Sequence, residues 1–185
     1  MNLKVRPASP EDAGWIADIY APIVRDTVIS FETDPPTADE MRQRIASTLE
    51  TYPWLVVEEE GRPLGYAYAS VHRARSAYRW SCDVTVYVAP HAHRKGAGTA
   101  LYCRLLEIVA AQGFRNAFAG IALPNAASVG LHERVGFTHL GTYSDVGYKH
   151  GAWHDVGWWQ KRLSDTDGPP AEPVPYSVYR ASHPL

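Results

Sequence analysis

A short stretch of the chain, residues 93–98, places two cations directly before two glycines. Its sequence is His-Arg-Lys-Gly-Ala-Gly, and it follows a β-rich apolar run over residues 84–88, which Pro90 ends because proline cannot donate to a ladder. Apolar residues recur at helical spacing after the loop. Glycines let backbone N–H groups approach a ligand, a helix N-terminus favours negative charge, and Arg94 and Lys95 add positive charge. The pattern predicts a cradle for a pyrophosphate.

The order of the lysine and the glycines excludes two common phosphate motifs. A P-loop carries its lysine after the glycines, whereas Lys95 precedes them. A dinucleotide fingerprint needs a third glycine at the position where this chain has Leu101. A glycine-rich turn with solvated basic residues is the alternative to an anion site.

Four histidines could be considered as metal ligands: His91, His93, His150 and His154. Their spacing fits no common ligand set, and no cysteine lies near them. We therefore expect no metal site.

Length and composition limit the classes of protein to which the chain can belong. Its 185 residues suit one domain with a sizeable core, and a net charge of −2 argues against a nucleic-acid-binding surface. No apolar run is long enough to span a bilayer, and the first residues lack the apolar core of a signal peptide. Cys82 and Cys103 are too few for a disulfide framework, so we expect a reduced, cytoplasmic protein. From the net charge and the absence of a long apolar run, we expect that it binds neither nucleic acid nor membrane.

The hydrophobic patterns predict seven strands and four helices. The strands are expected at residues 3–6, 54–57, 64–71, 80–88, 116–123, 137–148 and 154–163. The helices are expected from Ser9 to about Ile23, from Thr37 to about Glu50, after Gly98, and over residues 125–135. Residues 27–36 are expected to form an ordered loop that overhangs a site. This order of elements predicts an α/β fold with a mixed sheet.

The composition changes from Ser164 onward. Five of the fourteen prolines lie in this last stretch, which has no apolar period. We expect one domain over residues 1–163 and a proline-rich C-terminal tail over residues 164–185, outside the core and disordered or draped over the surface.

Two spaced motifs resemble those of the GNAT acyltransferases. The glycine loop is similar to their acetyl-CoA loop, Q/R-x-x-G-x-G/A, with His93 where glutamine or arginine is usual. Residues 125–137 resemble their second signature, N-x-x-[AS]-x-x-x-Y-E-x-x-G-F, with His132 in place of the tyrosine. The resemblance implies the GNAT fold, a mixed central sheet of about seven strands flanked by helices, and acetyl-CoA as the acetyl donor.

A narrower resemblance runs over residues 5–163. The run KHGAWHDVG at residues 149–157 is its most specific part, with YPWLV at residues 52–56 and ARSAY at residues 74–78. These segments resemble the phosphinothricin N-acetyltransferase family. The resemblance implies direct transfer of acetyl, in a ternary complex, to the α-amine of phosphinothricin, methionine sulfoximine or methionine sulfone.

The GNAT resemblance also assigns residues to the donor. The backbone of Val86, Tyr87 and Val88 is implied to hold the pantetheine arm and thioester, which is compatible with burial of the two valine side chains. The pyrophosphate is implied to lie on Arg94, Lys95, Gly96, Ala97, Gly98 and Thr99. Asn125 and Ser128 are implied to meet the pantetheine or the adenosine end.

Two side chains are implied to handle protons. Asp83 stands where the family has a catalytic glutamate, but an aspartate pKa near 3.9 is far below that of an amine, and the side chain is shorter by ~1.5 Å. We therefore expect it to act as a base through a water; a strand-end carboxylate paired with Arg73 or Arg79 is the alternative. His132 is expected to act on the thioester side, because histidine titrates near neutrality; the alternative is a satisfied helix histidine.

The family resemblance implies that Arg75 clamps the acidic group of the substrate, since a guanidinium pairs with carboxylate or phosphinate through two hydrogen bonds. Tyr78 lies in the same polar segment and is also expected to bind the substrate, and Phe31 is expected to roof the amino-acid pocket. The alternative is that Arg73, Arg75 and Arg79 belong to a solvated basic loop and bind no substrate. The resemblance, with the aromatic run Trp153, Trp158 and Trp159, also predicts a homodimer.

Two other functions stay open at this point. One is an acyltransferase on the same fold that acts on protein N-termini or polyamines. The other is a non-catalytic acyl-CoA-binding or regulatory module.

Overall fold

The structure is a computed structural model that describes residues 2–165 and 168–183. Met1 and four residues of the predicted tail, at positions 166, 167, 184 and 185, lie outside the described residues. The strands are β1 (Leu3–Pro7), β2 (Trp54–Glu59), β3 (Arg62–Val71), β4 (Ser81–Val88), β5 (Asn116–Ala122), β6 (Thr138–Lys149) and β7 (Ala152–Arg162). The helices are α1 (Ala13–Asp26), α2 (Ala38–Thr51), α3 (Ala97–Ala111), α4 (Ala126–Arg134) and α5 (Tyr176–Ser182).

All seven strands form one sheet in the order β1-β2-β3-β4-β5-β7-β6. The β4–β5 pair is parallel, and every other neighbouring pair is antiparallel. The mixed α/β sheet of seven strands that the sequence predicted is therefore confirmed.

The helices cover both faces of this sheet. Tyr87 in β4 contacts Tyr20 in α1, with ring centroids 5.0 Å apart. The next residue, Val88, turns its side chain to the other face, where it approaches Gly98 in α3. Because α4 packs on α3 through Leu131, α3 and α4 share one face while α1 lies on the other.

Local signals in the sequence start α2 where it was expected, but α1 starts one turn later than predicted. Thr37 and Glu40 form a capping box at α2, with the Thr37 N–H donating to Glu40 Oε2 at 2.7 Å. Pro10 begins a single 3-10 turn over Pro10–Asp12, and α1 follows from Ala13, later than predicted. The cause is Asp12, which accepts the Ser9 N–H at 2.8 Å and caps the turn.

The expectation that the C-terminal segment lies outside the core is wrong at Tyr176. This residue begins α5, is fully buried and belongs to the core. Gln112 at the end of α3 fastens the segment, because its side chain donates to Val174 O at 2.7 Å. The domain boundary at residue 164 stays a prediction, but the segment after it packs on the domain.

The three tryptophans that led to the prediction of a homodimer differ in exposure. Trp159 is buried and Trp158 is half-buried against Tyr143, so only Trp153 of the three is exposed. No helix among the described residues is both long and apolar enough to cross a membrane. The same residues contain no group of three or more histidine, cysteine, aspartate or glutamate side chains placed to hold a metal ion.

Candidate active site

The two parallel strands at the centre of the sheet separate almost as soon as they meet. β4 and β5 pair only over three residues, from Ser81 opposite Asn116 to Asp83 opposite Phe118. Beyond this point β5 pairs with β7 only, while residues 84–88 of β4 have no strand partner on that side in the part of the chain described. The gap that results, called here the opening, has its apex at Asp83 and Phe118.

Backbone groups of β4 line this opening. The Ala89 N–H donates to Leu64 O at 2.8 Å, so Ala89 is hydrogen-bonded to β3. Every second residue of an antiparallel strand bonds to the same neighbour, so Tyr87 also directs its backbone groups to β3. Val84, Val86 and Val88 therefore turn their backbone groups toward the opening. His93 Nε2 bonds to Val88 O at 3.0 Å from that side. Of the three predicted pantetheine contacts, Val86 and Val88 face the opening and Tyr87 faces β3.

The glycine loop ends at the N-terminus of α3. Gly96 is the N-cap residue and has a left-handed backbone with φ of 82°, which strongly favours glycine. The first bond of the helix runs from Ala100 N–H to Gly96 O, which leaves the backbone N–H groups of Ala97, Gly98 and Thr99 without partners inside the helix. Arg94 and Lys95 are exposed beside them, and residues 89–99 contain no acidic side chain. These donors and cations fit a pyrophosphate.

Gly98 has a second role that the sequence did not reveal. A Cβ there would lie 3.0 Å from Leu131 Cδ2, so the missing side chain lets α4 pack on the first turn of α3. Asn125 caps α4, since its Oδ1 accepts the Ser128 N–H at 3.1 Å. Asn125 and Ser128, which were implied to contact acetyl-CoA, therefore stand at the N-terminus of the helix that packs on α3.

His132 lies on the inner side of α4 and is buried. Its Nδ1–H donates to Ser128 O at 2.8 Å, and its Nε2 accepts the Tyr102 O–H at 2.8 Å. Burial lowers the pKa of His132, although the bond to Ser128 O opposes this shift. Both ring nitrogens are occupied, as expected of a neutral histidine in a core, and the catalytic role of His132 stays a prediction.

Asp83 has a partner that the sequence analysis did not consider. Its Oδ1 lies 2.6 Å from Nδ1 of His72, the residue that follows β3. Burial raises the pKa of Asp83, while His72 and Arg73 act in the opposite direction. The pair forms because the β3–β4 register sets Ser70 opposite Asp83 and so brings residue 72 alongside the start of β4. Periodicity in the sequence does not reveal this register.

The arginines of the β3–β4 loop, residues 72–80, have different environments. Arg79 pairs with Glu172 at 2.7 Å, and Arg73 lies over the Trp158 ring at 5.5 Å. Arg75 is exposed, and among the described residues it has no ion-pair partner. Neither Arg73 nor Arg79 forms the ion pair with Asp83 that was the alternative to a catalytic carboxylate.

Tyr78 and Phe31, the other two residues predicted to bind the substrate, have separate ring contacts. The Tyr78 ring meets His72, the partner of Asp83, edge-on at 6.3 Å. Phe31 packs against Gly147, where a Cβ would be 2.5 Å from the ring, and its ring centroid lies 6.3 Å from that of His154. Buried Lys149 holds the loop that carries Phe31, because its Nζ donates to Val24 O and Ser30 O at 2.5 and 2.7 Å.

Comparison with known proteins agrees with this geometry. The acetyltransferase (GNAT) domain matches residues 5–158. A phosphinothricin N-acetyltransferase from Streptomyces viridochromogenes is 42% identical over 173 residues, covering 93% of this chain and 94% of that protein. An L-methionine sulfoximine/L-methionine sulfone acetyltransferase from Pseudomonas paraeruginosa is 34% identical over 172 residues, covering 92% of this chain and 100% of that protein.

Solved structures extend the agreement to the fold. A GNAT superfamily phosphinothricin acetyltransferase from Sinorhizobium meliloti, crystallised with acetyl-CoA, superposes with a TM-score of 0.89 at 35% identity, covering 96% of this chain and 98% of that one. The predicted family, fold and acetyl donor are thus confirmed. The chain belongs to the GNAT acetyltransferase family and is an N-acetyltransferase whose acetyl donor is acetyl-CoA.

Proposed function

We propose that this protein transfers acetyl from acetyl-CoA to the α-amine of an amino acid or a close analogue such as phosphinothricin, methionine sulfoximine or methionine sulfone. The observation that carries the proposal is the opening in the sheet, which has a donor side and an acceptor side. Backbone of β4 and the glycine loop lie on the donor side, and Asp83 stands at the apex near the β3–β4 loop. The names of the relatives support amino-acid analogues as acceptors.

On the donor side, the chain supplies a fixed cradle. The backbone N–H groups of residues 97–99, with Arg94 and Lys95, would hold the pyrophosphate. Val86 and Val88 would bind the pantetheine amides, as a neighbouring strand would. Acetyl-CoA supplies an acetyl group that is already activated as a thioester.

On the acceptor side, the chain binds the substrate and removes a proton. Arg75 would pair with the acidic group, Phe31 would cover the substrate, and Tyr78 would line its pocket. The α-ammonium must lose a proton before its nitrogen can attack. We assign this step to Asp83, acting through a relay because its carboxylate is short and weakly basic.

A peptide N-terminus is the second candidate acceptor. It is favoured by the similarity to a ribosomal-protein-alanine N-acetyltransferase from Brucella melitensis, at 32% identity and a TM-score of 0.83. An arginine poised for a second acidic group suits a free amino-acid analogue better than a peptide chain.

A free-thiol release assay with acetyl-CoA tests these functions. The panel contains phosphinothricin, methionine sulfone, an alanine-ended peptide and spermidine, with phosphinothricin lacking its α-amine as the matched control. We expect thiol release with the first two acceptors and none with the control. Faster thiol release with the peptide or spermidine would show that the acceptor is a protein N-terminus or a polyamine and not an amino-acid analogue. Absence of thiol release with every amine would indicate a non-catalytic module.

We also propose a homodimer in the cytoplasm that binds neither nucleic acid nor membrane. The dimer is supported by β6, a twelve-residue edge strand that exposes apolar side chains. The cytoplasm is supported by two free cysteines, of which Cys103 is exposed. A net charge of −2 is consistent with the absence of nucleic-acid binding.

A further inference from the structure

We propose that His72 is the catalytic base that takes the proton from the substrate amine, and that Asp83 is the positioning residue that orients it. This inference rests on the proposed function and replaces the relay at Asp83 with a side chain. The pair is joined by the 2.6 Å contact between His72 Nδ1 and Asp83 Oδ1. Because a carboxylate can only accept, Nδ1 carries the hydrogen and Nε2 has the free lone pair.

The imidazole lies at the apex of the opening. It stacks on Phe118, with ring centroids 4.2 Å apart and planes 14° apart. Phe118 and Asp83 are the last residues at which β4 and β5 pair. His72 therefore contacts both residues at which the opening begins, which is where acetyl and amine must meet if β4 holds the donor.

Neighbouring rings fix the orientation of the imidazole. Trp158 and Tyr78 meet it edge-on at 6.1 and 6.3 Å. The side chain is 12% exposed, so it is held in place but still reached by solvent. In the part of the chain that the structure describes, Nε2 makes no hydrogen bond. That nitrogen is the free acceptor of the pair.

An imidazole suits the step better than a carboxylate. Its ordinary pKa of about 6.5 lies closer to that of an ammonium than the value of about 3.9 for aspartate, so it accepts the proton at smaller cost. A carboxylate on Nδ1 fixes the tautomer and stabilises the imidazolium that forms. The imidazole of His72, bonded to Asp83, can also take the place of the side-chain length that aspartate lacks relative to the family's glutamate.

The amine nitrogen forms a C–N bond to the thioester carbonyl carbon, and the C–S bond breaks. The ammonium loses two protons in all. One goes to His72 Nε2 and then to solvent, and the other ends on the departing thiolate as CoA thiol.

Few other charged or titratable groups face the pair. Arg73 and Tyr78 belong to the same loop as His72, and Cys82 neighbours Asp83 in β4. Tyr52 at the end of α2 and Tyr68 in β3 also interact electrostatically with Asp83. β5 and β7 contribute Phe118 and Trp158, which do not titrate. A change in the pH profile can therefore be assigned to the pair by substituting its two members.

The test compares His72→Gln, Asp83→Asn and the double variant with wild type and with His183→Gln, an exposed histidine on the C-terminal helix. We expect kcat for phosphinothricin in His72→Gln to fall by about 10²–10⁴-fold at neutral pH, with the loss shrinking at high pH as the amine deprotonates unaided. The double variant should be no slower than His72→Gln, because the two residues act as a unit. Calorimetric affinity for acetyl-CoA should be unchanged in every variant.

A readout independent of turnover is the proton NMR signal of the hydrogen-bonded His72 Nδ1–H, which should be present in wild type and absent in Asp83→Ala, which has no side-chain acceptor. Full activity in His72→Gln with loss in Asp83→Asn would make Asp83 the base and overturn this inference alone. An additive double variant, or an Nδ1–H signal that survives in Asp83→Ala, would also overturn it. No thiol release by wild type with any amine would overturn the proposed function and this inference with it.

Discussion

At the scale of single residues, the β3–β4 loop separates three arginines that look alike in sequence. Arg79 is held by Glu172 and also lies over Trp80 at 4.9 Å, and Arg73 lies over Trp158. Arg75 is exposed and lacks an ion-pair partner in the described ranges. An unpaired guanidinium can give two hydrogen bonds to a phosphinate or carboxylate without first losing another partner.

Arg75→Ala tests the clamp. Loss of a charge-assisted hydrogen bond costs about 1.5–3 kcal/mol, so KM for phosphinothricin should rise tenfold or more while acetyl-CoA affinity stays the same. Steady-state kinetics and calorimetry measure the two quantities. Arg79→Ala is the matched control and should leave KM unchanged. An unaltered KM in Arg75→Ala would move the anion site elsewhere, with Arg73 the next candidate.

His132 shows why residue type alone does not reveal a role. Sequence offered two possibilities for it, a proton donor near the thioester and a satisfied helix histidine. The structure gives it two hydrogen bonds, to Ser128 O and from Tyr102 O–H, inside the core. To act on the thioester, it would have to break one of these bonds.

His132→Ala should lower the free energy of unfolding by about 1–3 kcal/mol at pH 7.5, because Tyr102 O–H loses its buried acceptor. Burial lowers the pKa of His132 in the folded chain. As pH falls below about 6.5, His132 binds a proton in the unfolded wild type but not in the folded protein, so the free energy of unfolding of wild type decreases. The alanine variant lacks this titrating group and does not undergo the same decrease. The difference between the two proteins should therefore narrow between pH 7.5 and 5.5.

Urea unfolding at the two pH values measures this difference, and His183→Gln should match wild type at both. A difference that stays constant with pH would mean that His132 is not held neutral in the folded chain.

At the scale of elements, the loop before α3 depends on the conformation of Gly96 as well as on its charge. Its φ of 82° is one that side chains rarely adopt, and the donors of residues 97–99 follow it directly. A carboxylate at this position would add strain and place negative charge at the pyrophosphate site.

Gly96→Asp should abolish measurable acetyl-CoA binding by calorimetry. Gly61→Asp is the matched control, because Gly61 has φ of 76° in the β2–β3 turn, far along the chain from any proposed donor contact. That variant should have a similar loss of stability and normal affinity. Retained affinity in Gly96→Asp would remove the anion cradle from this loop.

Periodicity and caps were enough to predict the seven strands and α1–α4, because each of these elements has its own apolar pattern. α5 was missed for a physical reason. It is only seven residues long, it follows Pro175, and it turns one buried residue, Tyr176, into the core. Its position depends on hydrogen bonds from Gln112 to Val174 O and from Ser177 to Glu50 O. Residues so far apart in the sequence give no local pattern from which these contacts could be predicted.

At the scale of the whole molecule, the opening exists because of the sheet topology. β4 and β5 are parallel and share three residue pairs, after which β5 continues with β7. The sequence supplied the two strands but not the point at which they separate. The His72–Asp83 pair was hidden for the same reason, since it forms across the β3–β4 register at this point.

The surface of β6 and its turn to β7 bears on the oligomeric state. β6 forms one edge of the sheet, and large apolar side chains at Leu140, Tyr143, Val146, Tyr148 and Trp153 are 51–61% exposed. A long edge strand with an apolar surface favours association with another chain. A second copy of this chain is the partner that a symmetric homodimer needs.

Wild type should sediment as a dimer at micromolar concentration. The double variant Tyr148→Glu/Trp153→Glu should sediment as a monomer, because the desolvation free energy of two carboxylates exceeds the favourable free energy of the apolar contact. Val178→Glu is the matched control, since Val178 is 59% exposed on α5, away from this surface, and should remain dimeric. A wild-type monomer would contradict the homodimer. A double variant that stays dimeric would show that the two chains meet through a surface other than the β6–β7 turn.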